Sequence, residues 1–149
     1  MAEMTRQEVI KLLATGQRRV RLRGVDLSGL DLSYLDLSHA NLSYADLNKA
    51  NLANACLSRT ILFGASLAEA VLSKAILRSA DLIGADLSNA DLSQADLDHA
   101  ALQGAMLAGA NLTEVHCDGT DFDGARPDPA TIWPDGFDVQ EHRLDVDDE

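Results

Sequence analysis

The run Ala85-Asp86-Leu87-Ser88-Asn89-Ala90-Asp91-Leu92-Ser93-Gln94-Ala95-Asp96-Leu97 repeats itself every five residues. The period extends far in both directions. Leucine holds every fifth position from Leu22 to Leu112, 19 times without a miss, and Cys117 and Phe122 continue the frame. Two residues before each leucine stands a smaller residue. It is alanine at 14 of 15 positions from Ala40 to Ala110, Thr60 being the exception. The residue just before the leucine is often Asp or Asn, as at Asp26, Asn41, Asp81 and Asn111.

A period of five does not suit a helix, because each step would swing the leucine about 140° further round the axis. It does not suit a flat strand either, since an odd step sends alternate leucines to opposite faces. All the leucines reach one core only if the chain bends once per unit. A short extended piece puts the small residue and the leucine on one side, and a turn then resets the direction. Gly24, Gly64 and Gly104, and polar residues such as Asn54 and Asn89, stand where that turn is needed.

These residues resemble the pentapeptide-repeat family over roughly residues 20–125, and in particular its leucine-rich members abundant in cyanobacteria. The resemblance implies an all-β solenoid, a right-handed quadrilateral β-helix with four units per coil and about five coils. At ~4.8 Å between neighbouring strands the rod is ~24 Å long. Residues twenty apart then stack, so Leu22, Leu42, Leu62, Leu82, Leu102 and Phe122 share one interior column.

Both open ends of a solenoid need cover. Residues 1–18 are expected to supply a short capping helix. Thr5 and Glu8 have capping-box spacing, Val9, Leu12 and Leu13 form an apolar stripe, and Gly16 is a stop. Larger residues (Val20, Val25, Leu30 and Leu35) fill the small position in the first coil, where the helix would meet the core. The β-helix is expected over 19–125. At the other end, Arg126-Pro127-Asp128-Pro129 is expected to break the coil. Residues 126–140 then form a plug around Trp133 and Phe137, in a segment that resembles the Trp-Pro-x-Gly-Phe tail of such coils. Residues 141–149 read as a disordered acidic tail.

Net charge is −12, unevenly spread. Residues 1–24 carry six bases and two acids, whereas residues 116–149 carry two bases and eleven acids. With no basic stripe along the body, direct nucleic-acid contact is not expected. No apolar run approaches a membrane span and no secretory leader is evident, so the expected compartment is the cytoplasm. Cys56 and Cys117 fall three coils apart, too far for a disulfide, which fits a reducing compartment.

No catalytic, cofactor or metal site is expected, and no small-molecule substrate. The frame separates His39, His99 and His116, the serines are periodic wall residues, and no phosphate loop or zinc motif is present. The chain reads as a non-enzymatic binding or scaffolding module, its partner being another protein or a second copy. The expected interface is an apolar belt of Ile61, Phe63, Val71, Ile76 and Ile83, which interrupts the polar wall at mid-rod. An alternative comes from the resemblance: some relatives imitate duplex DNA and bind type II topoisomerases such as gyrase. This chain departs from them in using leucine where they often use phenylalanine, in having no loop between coils, and in its broken acidic stripe.

Overall fold

A computed structural model describes residues 3–17 and 19–146. Parallel β-bridges join residues twenty apart along the rod. Arg21, Asn41, Ile61, Asp81, Ala101 and Asp121 form one ladder, which we name the first wall. The second wall runs through Asp26, Asp46, Ser66, Asp86, Met106 and Arg126, and the third through Asp31, Asn51, Val71, Asp91, Asn111 and Ile132. The fourth runs through Asp36, Cys56, Ile76, Asp96 and His116. The result is the right-handed quadrilateral β-helix.

One unit shows why the chain holds this shape. In Ala85–Asn89 every backbone N–H has an acceptor. Ala85 N–H closes the corner onto Leu82 O (3.0 Å), and Asp86 N–H reaches back to Ala65 O on the coil before (2.9 Å). Leu87 and Asn89 N–H donate forward to Met106 O and Ala108 O on the coil after (both 2.8 Å). The remaining donor, Ser88 N–H, is met by Asp86 Oδ1 at 2.9 Å. The Asp or Asn before the leucine is therefore structural: its side chain accepts from the N–H two residues on. The same bond recurs from Asp26 and Ser28 to Asp121 and Asp123. Each corner is turned by a left-handed residue, with φ between 54° and 68° at every fifth position from Gly24 to Gly124.

All 19 leucines are at most 1% exposed, and alanine lines the corners between them. Each buried leucine contributes roughly 1.5–3 kcal/mol. Where threonine replaces alanine it ties coils together. Thr60 Oγ1 donates to Leu37 O (2.9 Å), Thr120 Oγ1 to Leu97 O (2.7 Å) and Thr131 Oγ1 to Leu107 O (2.8 Å).

At the N-terminal end, helix α1 spans Arg6–Leu13 with a capping box between Thr5 and Glu8. Val9 is fully buried, and Met4 and Leu13 pack against the core, as do Val25, Leu30 and Leu35 of the enlarged first coil. Arg6 donates to Asp31 O and Ser33 O, and Glu3 N–H to Asp26 O, covering part of the coil's open edge.

The C-terminal end differs from expectation in two respects. The proline-rich segment does not end the coil. Arg126 still pairs with Met106 and Ile132 with Asn111, and one extra residue is taken up between them. Asp128 Oδ1 takes over the bond to Gly109 N–H (2.8 Å), which lets the prolines sit in a corner where no ladder donor is needed. Residues 141–146, expected to be disordered, are docked instead. Gly124 N–H donates to Arg143 O and Asp145 N–H to Ala125 O (both 2.9 Å), Leu144 packs on the core, and Arg126 pairs with Asp145 at 3.2 Å. The last three residues of that tail lie outside the described residues.

The plug is aromatic. Trp133, Phe137 and His142 stack in parallel at 4.3 and 4.4 Å, and Phe122 meets all three edge-on. Among the described residues no helix is long and apolar enough to cross a membrane.

Candidate protein interface

The belt spans the third and fourth coils, and its members lie on different walls. Ile61, Phe63 and Ile83 share the first wall; Ile76 is on the fourth, round one corner; Val71 is on the third, facing the opposite way. Phe63, Val71 and Ile76 are 38%, 37% and 41% exposed, and Ile61 and Ile83 are half-buried. One flat partner can touch the first-wall group, but not Val71 on the opposite side.

The first wall has a member that the belt omits. Tyr44 turns the corner after the first wall and is exposed. Its ring meets Phe63 edge-on at 5.6 Å, and the Arg23 guanidinium lies 5.1 Å from its centroid. The ring covers Gly64, where an added Cβ would come within 2.8 Å of it. The signal was present at a spacing of twenty: the corner column reads Gly24, Tyr44, Gly64, Gly84, Gly104, Gly124, with one side chain in a row of glycines.

The belt also interrupts the hydrogen-bonding rule of the wall. From Cys56 to Ile76 the residue before the leucine offers no Asp or Asn oxygen. Asn48 Oδ1 reaches across from the neighbouring coil to Ala68 N–H (2.9 Å). Among the described residues of this stretch, the N–H groups of Ser58, Phe63, Ser73 and Arg78 have no acceptor within the chain; those of Gln103 and Ala108, after Ala101 and Met106, share that state.

The acidic groups are largely engaged by the rod itself. Arg78 pairs with Asp96 and, at 3.2 Å, with Asp98. The Ser28, Ser33 and Ser38 hydroxyls, followed by the N–H groups of the same serines, hold the carboxyls of Asp26, Asp31 and Asp36 below the usual range. Burial, helped by Asp118 and Asp98, pushes the Cys117 thiol up, away from the reactive thiolate. The clefts are open grooves beside the plug, lined by residues such as Glu114, His116 and Asp135, and one along Arg19, His39 and Arg59.

Comparison with known proteins agrees with this geometry. The family described as pentapeptide repeats (8 copies) matches residues 21–59, 55–94 and 90–126. The pentapeptide repeat protein Rfr23 from the cyanobacterium Cyanothece 51142 is similar at 31% identity with a TM-score of 0.76, covering 84% of this chain and 99% of that one. HetL from Nostoc sp. strain PCC 7120, a pentapeptide repeat protein involved in heterocyst differentiation regulation, is 33% identical, covering 83% and 66% of the two chains, with a TM-score of 0.46. QnrB1, a plasmid-mediated fluoroquinolone resistance protein, is 18% identical over 86% of this chain and 78% of that one, with a TM-score of 0.44. No curated protein matches the chain at a significant level. The ladder of twenty-residue steps, the leucine core and the family match over residues 21–126 agree: this chain belongs to the pentapeptide-repeat family.

Proposed function

We propose that the chain is a non-enzymatic protein-binding module that docks its partner on the first wall, around Ile61, Phe63 and Ile83. The observation that carries this reading is the break in the wall's own rule. Over most of the rod an Asp or Asn serves the backbone; at Ile61, Val71 and Ile76 large apolar residues stand there instead, and the N–H of Phe63 is left open to an outside acceptor. The core gains nothing from the exchange, because these side chains stand outside a leucine column that is already closed. An apolar surface with a free backbone donor suits another protein better than a small polar ligand.

The same accounting speaks against catalysis. The serines and carboxylates recur because each unit uses them, and no pair is set apart by geometry. The two unpaired cysteines support a reducing compartment, which we read as the cytoplasm. A duplex mimic is the weaker reading, since carboxylates such as Asp86, Asp91 and Asp96 face their own N–H groups or Arg78. A gyrase supercoiling assay with neither inhibition nor protection retires it.

Capture from the native host's extract tests the main reading, with wild type and Phe63→Asp as parallel baits. A protein held by wild type and lost with Phe63→Asp supports it. Identical sets on both baits contradict it.

A further inference from the structure

The first wall is graded along its length. Arg21 and Arg23 stand at its N-terminal end, Phe63 and Ile83 in the middle, and Asp121 and Asp123 at its C-terminal end, five coils and ~24 Å away. All four charged residues are exposed. Among the described residues neither arginine has an ionic partner, and the Asp123 carboxylate has no bonding partner at all.

We infer that the first wall pairs with the first wall of a second copy, antiparallel, about a two-fold axis between the third and fourth coils. This deepens the docking reading above and rests on it. A two-fold axis lying in the interface across the rods reverses their direction but keeps each corner opposite the same corner. Arg23 then faces Asp123 of the second copy, and Arg21 faces Asp121. Phe63 meets Ile83 in both halves. The corner column also complements itself. Tyr44, its one side chain, comes over Gly104 of the second copy, where no Cβ opposes it, while Gly64 faces Gly84. One pairing is uneven, Ile61 against Asp81, but the Asp81 carboxylate is turned toward its own Ile83 N–H at 3.1 Å. A parallel pair would set arginine on arginine and aspartate on aspartate, which costs affinity and rejects that arrangement.

Sedimentation velocity on the purified full chain tests this. Wild type is expected to move from 16.0 kDa toward twice that mass as concentration rises. Arg23→Asp alone and Asp123→Arg alone each set like charges together twice per dimer. Each should raise the concentration needed for dimer by roughly tenfold or more. Mixed in equal amounts, these two variants should form the dimer again, because every contact then joins opposite charges. Val71→Asp, on the opposite wall, should leave the wild-type behaviour intact. A wild type that stays monomeric, a mixture that does not recover, or a loss of dimer in Val71→Asp each overturns the inference. A monomeric wild type that still captures a host protein through Phe63 would sink this pairing and leave the docking reading standing.

Discussion

Tyr44 leans edge-on against Phe63 with ring centroids 5.6 Å apart, and it does so across the backbone of Gly64. The contact exists because Gly64 has no Cβ to lift the ring. Gly64→Ala should separate the rings, removing the Tyr44–Phe63 cross-peaks in a proton spectrum. It should also cost about 1–2 kcal/mol, since alanine would have to hold the left-handed φ of 62°. Gly29→Ala, with φ 67° and nothing within 4 Å, isolates the backbone share of that loss.

The belt residues should not contribute to stability. Val71→Asp and Ile76→Asp restore the acceptor that the rest of the wall uses, giving Ser73 and Arg78 N–H a partner. We expect denaturant midpoints equal to wild type or higher, by up to about 1 kcal/mol. The reverse change, Asp86→Ala, removes the acceptor from Ser88 N–H and should cost about 1 kcal/mol.

The threonine ties are a third point of test. Thr60→Val keeps the shape but loses the bond to Leu37 O. That carbonyl still accepts Ala40 N–H at 3.0 Å, so the loss should be modest, about 0.5–1.5 kcal/mol by chemical denaturation.

The pH dependence has a definite sign. The carboxyls of Asp26, Asp31 and Asp36 titrate below their usual range, first through serine hydroxyls and then through serine N–H groups. Asp128 does so chiefly through Gly109 N–H. A group depressed in the folded chain stabilises it above the unfolded value and ceases to as pH falls through the folded one. The melting temperature should therefore hold from pH 7 to 5 and fall below about pH 4. Replacing Ser28, Ser33 and Ser38 by alanine should flatten that acid limb.

Much of this molecule was legible in its sequence because the repeat fixes inside and outside together. Leu22 to Leu112 and the alanines beside them identified the core, and Thr5 with Glu8 identified the helix start. Less plain were contacts made across coils or to the backbone. Tyr44 belongs to the surface around Phe63 because residues twenty apart stack. The structural role of Asp86 is not visible in the pattern because its partner, Ser88 N–H, is backbone. The prolines at 127 and 129 carried an ordinary breaker signal, yet the coil absorbs them because Asp128 supplies the missing bond. The docked tail was obscured by its charge, although Leu144 and His142 are the residues that seat it.

Neighbouring residues face opposite ways here: Leu62 in the core and Phe63 on the first wall. Thermal unfolding of Leu62→Asp beside Phe63→Asp tests this directly. A carboxylate in the leucine column has no partner and should prevent folding, whereas Phe63→Asp should melt within about 1 kcal/mol of wild type. If Phe63→Asp unfolds the chain as Leu62→Asp does, the phenyl ring belongs to the core and the first wall offers no docking surface.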